Sequence, residues 1–349
     1  MKRLMSGNEA MAEGAIQAGC SFYAGYPITP QNEIPAYMSW RMPEAGGVFI
    51  QAESELAAIN MVFGASAAGV RAMTSSSSPG MSLKQEGISY IAGSRLPAVI
   101  VNVMRGGPGL GNIAPSQSDY FQATKGGGHG DYHPIVLAPA TVQEAYDMMF
   151  KAFDLADIYR TPVIILVDGM LGQVMEPVQI STVSRKASIK KPWALTGCAG
   201  REPNIIRSLL LKEGALEEVN NILQSNYAAI QKKEQRYEDS NLNDAKIILV
   251  AYGTMARIAK VAMNKLCKEG LKVGLIRPMI LWPFPEQAFI KATKKKVKFL
   301  VVEMSYGQML EDVRLAVNGK AVVEFFGRAG GGIPSEDEIV GKIRKMLRG

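Results

Sequence analysis

Gln51-Ala52-Glu53-Ser54-Glu55-Leu56-Ala57-Ala58 runs from the end of an apolar segment into an Ala-rich helical pattern, which sets acidic side chains at a helix N-terminus. One reading is ordinary: carboxylates there complement the positive end of the helix dipole. The other is chemical, a carboxyl group held beside a heteroaromatic nitrogen, where low polarity makes one strong hydrogen bond worth more than it is in water. Upstream, Gly25-Tyr26-Pro27-Ile28-Thr29-Pro30 carries two prolines that fix two φ angles and push Tyr26 and Thr29 towards extended backbone. A stiff loop displays the Thr29 hydroxyl in a set direction, able to donate to a carbonyl or carboxylate oxygen without adding charge. A loop prolined merely for stability is the plainer account. Arg105 leaves an apolar strand and enters a segment of ~30 residues with no clear element of its own, and such segments are more often functional or mobile than filler. A guanidinium at that rim suits a carboxylate by bidentate pairing, with a rim salt bridge as the alternative.

Several attractive patterns fail. Gly107-Pro108-Gly109-Leu110-Gly111 imitates a dinucleotide loop, but Pro108 and the following Asn112-Ile113-Ala114-Pro115 do not open a helix. His129 and His133 have i, i+4 spacing, yet their Gly and Pro neighbours deny the helix that would turn that spacing into a metal site, and no metal ligand set is expected. These are the only two histidines, which leaves a hydrolytic triad poorly supported. Cys20, Cys198 and Cys267 lie far apart, so neither a disulfide framework nor a four-cysteine cluster site is on offer and a reducing, cytoplasmic setting is expected.

The elements that must position these residues follow from hydrophobic period. Short apolar runs at 21–24, 48–51, 70–74, 98–103, 135–137 and 163–167 alternate with helical patterns at 53–67, 83–93 and 142–158. That alternation predicts a parallel sheet covered by helices on both faces. Ser6-Gly7-Asn8-Glu9 fits a capping box that opens a first helix. Residues 181–245 are polar and include a charged helical stretch at 216–236, which reads as a connector with a helical insertion. A second α/β unit over 246–349 shows strands at 246–251, 272–277, 299–302 and 321–325, with helices at 254–268, 286–293 and 307–317. The expected division is therefore 1–180, 181–245 and 246–349.

With 349 residues, 47% of them hydrophobic, the chain is too long for one core and too apolar for disorder. No run of ~18 uncharged apolar residues is present, so no membrane association is expected. Charge is uneven: ten basic residues face fifteen acidic ones up to residue 180, whereas 29 face 17 beyond it. A basic half suits nucleic acid, an acidic partner or a phosphorylated ligand. The densest run, Lys291 to Lys298, has no interleaved aromatics, so nucleic-acid binding is not expected and a solvated helix end is the plainer account.

Taken together, Tyr26-Pro27-Ile28-Thr29-Pro30, the Gln51 to Glu55 run with Asn60, Gly64 and Ala65, Ser78-Pro79-Gly80-Met81-Ser82-Leu83-Lys84-Gln85-Glu86-Gly87, and Met104-Arg105-Gly106-Gly107-Pro108-Gly109-Leu110-Gly111 resemble the 2-oxoacid:ferredoxin oxidoreductases, nearest to a pyrimidine-domain subunit of the branched-chain type. The resemblance implies a thiamin-diphosphate pyrimidine domain followed by a transketolase C-terminal-like α/β domain. It implies that thiamin diphosphate is shared with a partner subunit that holds the diphosphate and its Mg2+. In keeping with that, Val167-Asp168-Gly169 lacks the leading Gly of the diphosphate motif, and residues 193–198 contain no Asn. Iron-sulfur clusters would sit on another subunit, with ferredoxin as acceptor in a hetero-oligomer.

By the same resemblance Glu55 faces the pyrimidine N1′ and favours the imino tautomer that leads to the reactive ylid, Thr29 contacts the 2-oxoacid, and Arg105 lies near its carboxylate. Tyr26, Pro27, Ile28, Pro79 and Gly80 would line the cofactor. Ser78 stands where relatives often carry Gly. The implied activity is oxidative decarboxylation of 2-oxoisovalerate with coenzyme A; 2-oxoglutarate, pyruvate and a non-catalytic scaffold are the alternatives, the last disfavoured by retention of Thr29, Glu55 and Arg105 together.

Overall fold

A computed structural model describes residues 2–181 and 189–348. β1 (Lys2–Ser6) leads into α1 (Gly7–Gln17), β2 (Phe22–Gly25), α2 (Glu33–Glu44), β3 (Val48–Gln51), α3 (Glu55–Ala67), β4 (Ala72–Ser76), α4 (Ser78–Gly93) and β5 (Ala98–Met104). A long loop carrying the short α5 (Tyr120–Thr124) precedes β6 (Ile135–Leu137), α6 (Val142–Tyr159), β7 (Pro162–Asp168), α7 (Gly169–Gln173) and β8 (Met175–Gln179). Next come α8 (Ala215–Lys233), β9 (Tyr237–Ser240), β10 (Ile247–Val250), α9 (Gly253–Lys268), β11 (Val273–Pro278) and β12 (Ile280–Trp282). The chain closes with α10 (Glu286–Ala292), β13 (Lys298–Glu303), α11 (Gln308–Val317), β14 (Val322–Gly327) and α12 (Glu336–Arg348).

Seven strands form the first sheet in the order β12-β6-β7-β5-β4-β2-β3, and five form the second in the order β14-β13-β10-β11-β9. The centre of the first sheet, β5 and β7, is buried at every residue, which is why both read as unbroken apolar runs rather than alternating ones. α1 opens on the expected capping box: the Glu9 amide donates to Ser6 Oγ at 3.2 Å and the Ser6 amide to Glu9 Oε2 at 2.9 Å.

Each sheet borrows an antiparallel edge strand from beyond the boundary drawn on composition. β12, from the C-terminal part of the chain, pairs with β6, and β9, from the polar connector, pairs with β11. α2 was absent from the sequence expectation because Pro35 and Pro43 punctuate it; Pro35 falls within the first turn and Pro43 within the last, where helices tolerate a missing N–H or end. α4 begins at Ser78, not Leu83, with Pro79 in its first turn. The lysine run is a helix end and turn, as its plainer account has it: Lys294, Lys295 and Lys296 are exposed, and Lys295 Nζ donates to the carbonyls of Leu242 and Asn243.

The two sheets are stapled by the long loop. Gln117 is fully buried: its amide nitrogen donates to the Tyr252 carbonyl at 3.0 Å and its Oε1 accepts from the Met304 amide at 3.0 Å. Arg277 grips Glu144 with a two-pronged fork, 2.7 and 2.9 Å, across the same junction. Asp168, at the end of β7, accepts from Thr254 Oγ1 at 2.7 Å, the Thr254 amide at 3.1 Å and the Leu171 amide at 3.0 Å. Its carboxylate therefore joins the units rather than facing a ligand. Among the described residues no helix is long and apolar enough to cross a membrane.

Candidate functional site

Glu55 is the first residue of α3, placed by Ser54, whose Oγ accepts from the Ala57 amide at 3.2 Å as the helix cap. Its side chain folds inward and the residue is only 6% exposed. Yet among the described residues no side chain or amide donates to its carboxylate, so the acid group of a buried residue is left open to an outside donor. The carboxylate lies on Gly80 of α4. A Cβ at that position would sit 2.5 Å from Glu55 Oε1 and 2.2 Å from Ser76 Oγ, distances that real Cβ atoms do not show. Ser76 Oγ and Ser77 Oγ, at the end of β4 and the start of the turn, are buried and without hydrogen-bond partners. A bare-backbone cradle holding an unpartnered acid and two orphaned hydroxyls fits a docked polar heterocycle better than an internal salt bridge.

Arg105 lies just past β5, 7% exposed. Nη1 donates to the Thr29 carbonyl and Nη2 to the Leu110 carbonyl, both at 3.0 Å, so the guanidinium ties the proline loop to the glycine loop. Its Nε is buried with no partner. Thr29 is half-buried, and its Oγ1 accepts from Asn32 Nδ2 at 3.3 Å. Tyr26 and Pro27 are exposed and Ile28 half-buried, so the loop presents one wet side. Behind it, Gln31 Nε2 donates to the Tyr26 carbonyl at 3.1 Å, Ser75 Oγ donates to Gln31 Oε1 at 2.5 Å, and Asn8 Nδ2 donates to the Pro30 carbonyl at 2.8 Å. Stiffness thus comes from a buried polar network as well as from proline.

Ser78 connects the parts. Its Oγ accepts from the Arg105 amide at 3.0 Å and donates to Asp119 Oδ2 at 2.6 Å, while Asn102 Nδ2 donates to the same oxygen at 2.9 Å. The Ser78 hydroxyl thus fixes the Arg105 main chain against Asp119. Contacts run from Thr29 through Arg105, Ser78 and Gly80 to Glu55, which brings the sequence-chosen residues into one continuous wall. Sequence reasoning missed Asp119 and Lys84. Asp119 opens α5 and faces a cleft of about 780 Å³ with Ser78, Pro79, Pro108 and Tyr306; burial pushes its carboxyl up, against the Ser78 and Asn102 hydrogen bonds. Lys84, one turn past Gly80, is fully buried, and burial pulls its amine down to about 7 against the charge of Glu55. Neither position has a spacing signal; an isolated Lys on a helix reads as surface. His133, expected in a loop, stacks on Trp282 at 4.8 Å between centroids, and among the described residues no group of three or more potential metal ligands gathers.

The arrangement holds an acid and a rigid, hydrogen-bonded loop in one place, and comparison with known families defines the class. Residues 13–240 match the pyruvate flavodoxin/ferredoxin oxidoreductase thiamine diphosphate-binding family and residues 245–339 match pyruvate:ferredoxin oxidoreductase core domain II; the chain belongs to the 2-oxoacid:ferredoxin oxidoreductases. Within that family it is 50% identical over 344 residues to the ketoisovalerate oxidoreductase subunit VorB of Methanothermobacter marburgensis, covering 99% of this chain and 97% of that one. It is 41% identical over 317 residues to the 2-oxoglutarate synthase subunit KorA of Archaeoglobus fulgidus, covering 89% and 90%. Among solved structures, the 2-oxoglutarate:ferredoxin oxidoreductase from Magnetococcus marinus with 2-oxoglutarate, coenzyme A and succinyl-CoA bound superposes with a TM-score of 0.88 at 29% identity. That match takes in 99% of this chain but 65% of the longer one. A split-gene transketolase, at 13% identity and a TM-score of 0.59 over 99% of this chain, shares the fold alone.

Proposed function

We propose that this chain is the pyrimidine-capping subunit of a coenzyme A-acylating oxidoreductase that decarboxylates a branched-chain 2-oxoacid, 2-oxoisovalerate, and passes electrons to ferredoxin. The observation that carries the reading is the Glu55 carboxylate seated on the bare Gly80 backbone, in a buried residue, with no hydrogen-bond donor to it among the described residues. Glu55 would exchange a proton with the aminopyrimidine ring nitrogen, Pro79, Gly80 and the Tyr26-Pro27-Ile28-Thr29 loop would line the ring, and Arg105 with Thr29 would orient the 2-oxoacid carboxylate. Thiamin diphosphate supplies the nucleophilic carbon and the electron sink.

A partner subunit would hold the diphosphate and Mg2+, since Asp168 is already committed to Thr254 and Leu171. The exposed Leu56 and Met61 on α3 and Leu83 on α4, beside Glu55 and Gly80, support such a partner on this face. Clusters and the electron exit would lie on further subunits, because the three cysteines are free and separate, a state that also suits the cytoplasm. The working division is 1–180, 181–245 and 246–349, with β12 of the last segment added to the seven-stranded sheet and β9 of the connector added to the five-stranded one.

The branched-chain choice rests on similarity to the ketoisovalerate subunit. A glutarate-type substrate would need a second cation for its distal carboxylate, and the 50% identity to the ketoisovalerate subunit favours the branched-chain acid instead. The test is to co-purify the chain with its partner subunits and follow viologen reduction across a panel of 2-oxoacids with coenzyme A. The highest kcat/KM should fall to 2-oxoisovalerate; a higher value for 2-oxoglutarate or pyruvate overturns the assignment.

Arg105→Ala is expected to raise KM for the 2-oxoacid at least ~10-fold, because charge-assisted hydrogen bonds contribute ~1.5–3 kcal/mol each and the two loops lose their tie. Arg105→Lys should recover little, since a single ammonium cannot span both carbonyls. Steady-state kinetics on the assembled enzyme decide it, and an unchanged KM removes Arg105 from the substrate site.

A further inference from the structure

Lys84 is a fully buried lysine that the reaction as described does not use. Gly80 and Lys84 are four residues apart on α4 and so share a face, and that face meets the start of α3. Gly80 supports the Glu55 carboxylate, while Lys84 Nζ donates to the Glu55 main-chain carbonyl at 3.3 Å and to Thr74 Oγ1 at 3.0 Å. Two acceptors satisfy the two hydrogens of a neutral amine; the third hydrogen of an ammonium finds no acceptor among the described residues. Burial in this place without a direct carboxylate bond is costly, and such a lysine is rare unless it acts on something.

The charges around it are few. From α3 comes Glu55, the one charged group that acts on Lys84. β4 brings the Thr74 hydroxyl and β5 has no ionisable residue. β7 ends in Asp168, bound to Thr254. Ahead of α5, Asp119 is bound to Ser78 and Asn102, and His129 lies against Tyr90 further along α4.

We propose that Lys84 is a positioning residue for Glu55, clamping its main chain and setting the charge beside its side chain until a ring nitrogen docks on it. The inference rests on Glu55 being the cofactor's ring partner. The physical content is simple: below about pH 7 the Lys84 amine holds its proton and its charge acts on Glu55, and replacing the lysine removes that charge.

The experiment uses the assembled enzyme loaded with thiamin diphosphate and Mg2+, and reads the pH titration of the cofactor's near-ultraviolet circular dichroism, which follows the protonation and tautomer state of the aminopyrimidine. Lys84→Met, similar in volume and uncharged, should move the midpoint up by about one pH unit or more, the size of shift that an opposite charge at close range produces. Thr74→Val, which keeps the lysine but removes one acceptor, should move it in the same direction and less; it also covers the case in which Lys84→Met does not assemble. Melting temperature against pH supplies an independent readout. The Lys84 amine is lowered from 10.5 to about 7, so between those values the unfolded chain binds a proton that the folded chain does not, and stability rises with pH across that window. Lys84→Met should lack that rise.

A midpoint within a few tenths of a unit of wild type in both variants overturns the proposal and leaves Lys84 as packing. Glu55→Gln, run beside them, separates the two readings. If it abolishes the titration while the Lys84 and Thr74 variants do nothing, only the lysine inference falls; if it leaves the titration intact, the reading of Glu55 falls and takes the inference with it.

Discussion

Glu55→Gln should reduce turnover of the assembled enzyme by ~10² to 10⁴, the usual loss when an acid/base element is removed, while the subunits still co-purify. Gln keeps the length and shape of Glu but cannot exchange a proton. Because no group among the described residues donates to the Glu55 carboxylate, the substitution breaks no hydrogen bond of that carboxylate there, and the stability change should stay within ~1 kcal/mol. Lys84 loses the one charge that acts on it, so any destabilisation should be confined to pH below about 7, where its amine would hold a proton. Single-turnover kinetics and size-exclusion chromatography on the same preparation check both halves. Turnover within tenfold of wild type would remove Glu55 from the chemistry.

Gly80→Ala is expected to cost turnover about as much, for a steric reason. The new methyl would meet Ser76 Oγ at 2.2 Å and Glu55 Oε1 at 2.5 Å. Both are side-chain atoms that can rotate, so α4 need not unfold; the Glu55 carboxylate must swing off its seat instead. A displacement of ~1 Å at a reacting group is enough for a ~10²-fold loss, against a stability cost of ~1–3 kcal/mol for overpacking. Gly341→Ala in α12, where an added Cβ meets nothing within 4 Å, is the control and should leave turnover unchanged. If Gly80→Ala is also silent in kcat, the cradle has no bearing on where Glu55 sits.

These two predictions differ in how much of them is readable without coordinates. Glu55 stands in a motif, and its helix follows from the Ala-rich run behind it, although the structure starts that helix at Glu55 with Ser54 as its cap and not at residue 53. The role of Gly80 needed the distance to a residue 25 positions away on another helix. Lys84 is harder still, since nothing in the pattern of α4 marks one lysine as buried.

The sequence by itself determined the parallel α/β character of both units, the capping box at Ser6, the proline loop, and the separation of the three cysteines, because hydrophobic period, turn chemistry and spacing are local properties of the chain. Only the tertiary structure decided that β12 joins the first sheet and β9 the second, that Asp168 is a joint between the units, that Ser78 couples Arg105 to Asp119, and that among the described residues nothing donates to the Glu55 carboxylate. Strand exchange, burial of a charge and the absence of a hydrogen bond are settled by which distant surfaces meet, and that depends on the packing free energy of the whole molecule rather than on any window of residues.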